Sequence, residues 1–129
     1  MNLATKTETW GNEDLSWLGS AHGLEMADSV TIDRTAALAV TAWATDGVVP
    51  AGAVLGKVTA TGRYAPWVDA AVDGSGVAAG LLISPVMLGA SGNPQGAIIS
   101  HGQVIVAKLP ASSGYAAGAN ADLPLVQFV

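Results

Sequence analysis

The sequence predicts a mostly β fold, β-rich α+β in class: a small sandwich- or barrel-like domain of short strands with a flexible N-terminal arm and at most one or two short helices. Three observations carry that reading. Short runs rich in Val, Ile and Leu recur through the second two thirds of the chain, as strands do. Glycine separates them, with thirteen of the sixteen glycines between positions 47 and 118, a punctuation that suits a sandwich or barrel better than a helical bundle. The first 33 residues differ in texture. They hold six of the ten acids and one lysine, with Trp10, Trp17 and Leu18 set among polar residues. That composition is poor material for a core of its own and good material for an arm that orders against something else, and the equal alternative is that its tryptophans tuck into the core of the β-rich domain. The division expected is an arm over residues 1–28 and a β-rich domain over 29–129.

Taken in order, Val30 and Ile32 alternate with Thr31 and Asp33 at the period of a half-buried strand. TAALAVTAW (35–43) fits a short helix or a buried strand equally well. Asp46-Gly47 and the Pro50–Gly52 stretch mark turns. AVLGKVTA (53–60), RYAPWV (63–68), VAAGLLI (77–83), GAIIS (96–100) and QVIVAKL (103–109) read as strands. SSGYAAGANAD (112–122) is a helical candidate weakened by Gly114 and Gly118, and LVQFV (125–129) a closing strand after Pro124.

Hydrophobic residues make up 50% of the 129, but 24 of them are alanine, aromatics reach 5%, and Phe128 is the single phenylalanine. Large apolar side chains dominate burial energy, so their scarcity raises the expectation that a second copy completes the burial. A formal charge of −5 has the wrong sign for gripping nucleic acid or anionic lipid. With no cysteine there is neither disulfide framework nor thiolate chemistry. The N-terminal stretch lacks the apolar centre of a secretory signal and reads as mature sequence. No Asp, Glu, Lys or Arg occurs between Asp73 and Lys108, yet glycines and prolines interrupt that stretch before about 20 apolar residues accumulate, so no membrane span is expected.

The chemical motifs are weak. Gly52 and Gly56-Lys57 resemble a phosphate-binding loop, but that loop needs four residues between its glycines and a hydroxyl after the lysine. Here three residues separate them and Val58 follows. DGSGVAAG (73–80) approaches a dinucleotide fingerprint without the acid that should follow, because the next acid is Asp122. Ser100 and His101 are sequence neighbours, which on a strand point to opposite faces and form no nucleophile–base pair. His22 and Glu25 have a ligand-like spacing with no second histidine nearby. Asp69 with Asp73, and Glu13 with Asp14, are carboxylate pairs, and two acids alone do not make a glycosidase. Tyr64 and Trp67 offer a possible stacking platform for a sugar. No catalytic, metal or cofactor residue is assigned, and no enzymatic activity is expected.

WLGSAHGLEMADSVTID (17–33) followed by DGVVPAGAVLGKVTATGRYAPW (46–67) resembles the head decoration proteins of tailed phages, the capsid-stabilising family that includes the lambda decoration protein. The similarity continues through DGSGVAAGLLISPV (73–86), HGQVIVAKLP (101–110) and ANADLPLVQF (119–128). The resemblance implies a trimer on three-fold positions of the expanded capsid, bound to the major capsid protein on the outer surface of the virion and made in the host cytoplasm. It implies that the shell is stabilised against the pressure of internal DNA, with no direct contact to nucleic acid or membrane. Residues before about Ser29 would be the shell-binding arm. Trp17 and Leu18 carry over by position as anchors, and His22 falls in the same stretch. Trp10 joins them on composition alone. The rival readings are a carbohydrate-binding or adhesion module using Tyr64 and Trp67, and a small hydrolase using Ser100, His101 and Asp69 or Asp73.

Overall fold

Val54-Leu55, Leu81-Leu82 and Ile98-Ile99 are consecutive apolar pairs, and successive side chains on a strand point to opposite faces. Strands built this way need cover on both sides. The computed structural model, which describes residues 16–19 and 27–129, supplies it. The pairs lie on β3 (Val54–Lys57), β5 (Ala78–Leu82) and β7 (Gln95–Ile99), the three inner strands of a five-stranded antiparallel sheet. β1 (Asp28–Thr31) and β4 (Tyr64–Pro66) complete it, in the order β1-β7-β5-β3-β4. Register places Leu81 opposite Ile99 and Val54, and Leu82 opposite Ile98.

One face gathers Val54, Leu81 and Ile99 with Trp17, Trp67, Val104, Leu123 and Val126. Its cover comes from a parallel pair, β8 (Gly102–Val104) with β9 (Val126–Phe128), and from α3 (Ala119–Asp122). The other face gathers Leu55, Leu82 and Ile98 with Ile32, Trp43, Val49, Val86 and Leu88. There the cover is α1 (Arg34–Leu38), α2 (Thr41–Asp46) and an antiparallel pair of two-residue strands, β2 (Val48–Val49) and β6 (Val86–Met87). The outer strands meet just past β1. Ile32 bridges Tyr64, and the Asp33 N–H donates to the Tyr64 carbonyl at 2.8 Å, so the sheet curls until its two edges touch. The β-rich, barrel-like class read from the sequence is the one observed.

The segment 35–43, undecided between helix and strand, is helical, and its end signals explain why. The Asp33 carboxylate accepts the Ala36 N–H at 3.1 Å and caps α1. Gly47 ends α2 in the left-handed conformation, φ +68°, donating its N–H to the Trp43 carbonyl at 2.8 Å. The 112–122 candidate keeps its last four residues as α3, so the described residues hold three short α-helices where the sequence predicted at most one or two, the 34–46 segment splitting into two. QVIVAKL leaves the strand after Val104 and passes into a 3-10 turn at Val106–Lys108.

Gly56 sits where the β3–β5 register shifts, and a Cβ there would run into the Ser75 carbonyl. At Gly80 a Cβ would lie 2.6 Å from the Ile99 carbonyl oxygen. Leu82→Ala should therefore cost about 2–5 kcal/mol in urea unfolding, since the side chain is fully buried at the centre of the sheet. Gly80→Ala should also destabilise. Val72→Ala, at a fully exposed position, should change stability by less than about 0.5 kcal/mol.

Candidate docking surfaces

Residues 17–19 form a short antiparallel addition to β8. Leu18 pairs with Val104, the Ile105 N–H donates to the Trp17 carbonyl at 2.6 Å, and the Gly19 N–H donates to the Gln103 carbonyl at 2.9 Å. The Trp17 side chain is fully buried in the first core cluster, with Leu18 packed partly buried against it. Gly52 makes room for the indole. A Cβ at this residue, whose φ is +91°, would lie 3.1 Å from Trp17 Nε1 and equally close to Leu109 and Pro110. The three described tryptophans differ at their indole N–H groups. Trp43 donates to the Ser112 carbonyl at 2.9 Å and Trp67 to the Gly76 carbonyl at 3.0 Å, whereas Trp17 Nε1 is buried with no acceptor among the described residues.

Of the four residues assigned to the arm, Trp17 and Leu18 thus pack on the chain's own domain. Trp10 and His22 lie outside the described residues.

A second surface is apolar and open. Val68, Val72 and Val77 are 56%, 100% and 60% exposed along the loop joining β4 to β5. Beside them runs a groove of about 390 Å³, lined chiefly by Ala36, Ala39, Val40, Pro66, Val68 and Ala71. The loop is stiffened at its far end. The Ser75 N–H donates to Asp73 Oδ1 at 3.0 Å and its hydroxyl donates to the same oxygen, which holds the Asp73 carboxyl below its ordinary value.

The motifs weighed in the sequence find structural roles here. Gly52 occupies a turn, Gly56 lies within β3 against Ser75, and a strand rather than a helix follows both Gly52 and DGSG. Trp67 is 5% exposed with its N–H engaged, and Tyr64 packs against the second cluster. They present no open stacking platform, which corrects the sugar-binding reading of these two residues. Asp73 is committed to Ser75, and Asp69 faces Gly118, where a Cβ would lie 3.1 Å from its carboxylate. Among the described residues no group of three or more His, Asp or Glu could hold a metal, and no helix is long and apolar enough to cross a membrane. Of the two readings open for the N-terminal tryptophans, Trp17 takes the inward one, and the sequence could not decide it because its seat, formed by Gly52, Val104, Leu109 and Pro110, is assembled from distant stretches.

Fold and surface together define a β-rich structural domain with an N-terminal segment tied to its side. Residues 7–123 match the family of the bacteriophage lambda head decoration protein D, and the chain belongs to that family: it is a phage head decoration protein. No individual curated protein matches it.

Trp17→Ala should cost about 3–5 kcal/mol of stability, read by urea unfolding, as expected for emptying a buried aromatic site. Because the folded Asp73 carboxyl titrates below its unfolded value, its contribution is complete above the unfolded pKa and is lost as pH falls through the lower, folded one. In an NMR titration Ser75→Ala should raise the Asp73 pKa part of the way toward 3.8, since it removes the hydroxyl hydrogen bond, the larger cause of the depression, and keeps the backbone N–H one.

Proposed function

We propose that this decoration protein binds the outer surface of the expanded capsid as a trimer at three-fold positions and stabilises the shell against internal DNA pressure. Family membership over residues 7–123 is the observation that carries the proposal. The exposed Val68 in the lining of a mostly apolar groove, with Val72 and Val77 exposed on the same loop, supports it, because exposed apolar surface marks interaction sites. The partner is the major capsid protein, and residues 1–28 form the arm that engages it. Trp10 and His22 contact the shell, while Trp17 and Leu18 anchor the arm where it joins the β-rich domain. The role is mechanical and involves no catalysis, nucleic acid or membrane.

The stabilisation follows from linkage. A ligand that binds the expanded lattice and not its disrupted state stabilises the lattice by RT ln(1 + [L]/Kd), about 2.7 kcal/mol per site when free ligand is a hundred times Kd. A trimer that engages several capsid subunits raises the effective concentration of each arm, so modest contacts sum to a firm clamp.

Light scattering on the purified chain should give the mass of a trimer, and mixing with capsids should show binding to expanded shells and not to unexpanded ones. A chain lacking residues 1–15 keeps Trp17. It should retain the melting temperature of the full chain while binding expanded capsids at least about tenfold more weakly. Undiminished binding would remove the arm from the mechanism. A stable monomer that ignores both shells would remove the proposal.

A further inference from the structure

The groove beside Val68 has one wall from α1 and the start of α2, with Ala36, Ala39 and Val40, and one from β4 and the loop after it, with Pro66, Val68 and Ala71. Both walls are small or partly exposed apolar side chains. Among the lining residues Asp73 alone carries a charge, and its carboxylate is already taken by the N–H and hydroxyl of Ser75. Asp69, the other acid of the loop, lies against Gly118 at the start of α3, which covers the opposite face of the sheet.

The groove is thus a face without free charge on a chain whose formal charge is −5. A partner chosen by its charge finds nothing to pair with here, and depletion of charge is what marks the centre of a protein interface. Copies of this chain repel one another wherever their acids face each other, and on this face they meet without that cost. The shape fits as well. Ala71 and Asp73 both line the groove, whereas Val72 between them is fully exposed and stands out from its edge as a knob beside the recess.

We propose that this groove is the seam between copies of the chain, with Val72 of one copy seated between α1 and β4 of the next. In a ring of three, each copy gives its knob to one neighbour and its recess to the other. The closure at three rests on the trimer reading above. Val72 touches nothing in its own chain, so the fold does not depend on it, and the seam gives that exposure a use.

Cross-linking on the full-length chain tests the seam. The natural sequence has no cysteine, so Ala39→Cys/Val72→Cys places one thiol in the recess and one on the knob. Treated with a short bismaleimide, this variant should run as covalent dimers and trimers on a denaturing gel. Monomers alone would overturn the seam. A ladder ending at two would keep the seam and remove the trimer reading.

A charge in the recess gives an independent measurement. Ala39 is exposed, so Ala39→Glu should keep the far-UV circular dichroism of the natural chain. In light scattering it should raise the concentration at which trimers dissociate by at least about tenfold, because the carboxylate loses water in an apolar seam with no partner. An unchanged dissociation curve would overturn the proposal. Unchanged trimers that no longer bind expanded capsids would overturn it too, by assigning the groove to the shell.

Discussion

A sheet with no solvent face is the constraint from which the rest of the molecule follows. Once β3, β5 and β7 each carry two large apolar residues in succession, cover must come from both sides. In 129 residues there is little chain to provide it. That is why the covering elements are so short: two helices of one to two turns and a two-residue ladder on one face, a three-residue parallel ladder and a single helical turn on the other. Tryptophans compensate for the brevity. Trp43 covers one face, Trp17 and Trp67 the other, and each replaces with one side chain the area that several alanines leave unfilled.

The same economy shapes the surface. Apolar side chains large enough to matter are mostly inside, and those left outside are not scattered evenly, since three of the exposed valines fall on one loop beside one groove. That loop has rigid backing, because Ser75 donates to Asp73 near its end and the Trp67 indole N–H ties its start to the Gly76 carbonyl. Rigidity behind a contact reduces the ordering cost of association.

Much of this was legible in the sequence. The strands around Val54, Tyr64, Leu81, Ile98 and Val126 announced themselves through apolar runs between glycines, and the spacing at Gly52 and Gly56 already argued against a phosphate loop. What stayed hidden depends on long-range partners. Trp17 stands among polar residues, and nothing nearby reveals that Gly52 and Leu109 leave room for an indole. The β2–β6 ladder has two residues on each side and no period to read. Residues 35–43 could be settled only by weighing the cap at Asp33 against the stop at Gly47, both visible and neither decisive alone. Tyr64 and Trp67 looked like a platform because sequence shows which residues are aromatic but not which way they face.

The meeting of Ile32 with Tyr64 has a consequence for crowding. An open sheet presents bare backbone at its two borders, and chains concentrated side by side can polymerise through them. Here the borders lean on each other, and β4 ends in Pro66, which has no N–H to offer a foreign strand. Copies of this protein brought together at high concentration can therefore touch through side chains without knitting the backbones of this sheet into fibres.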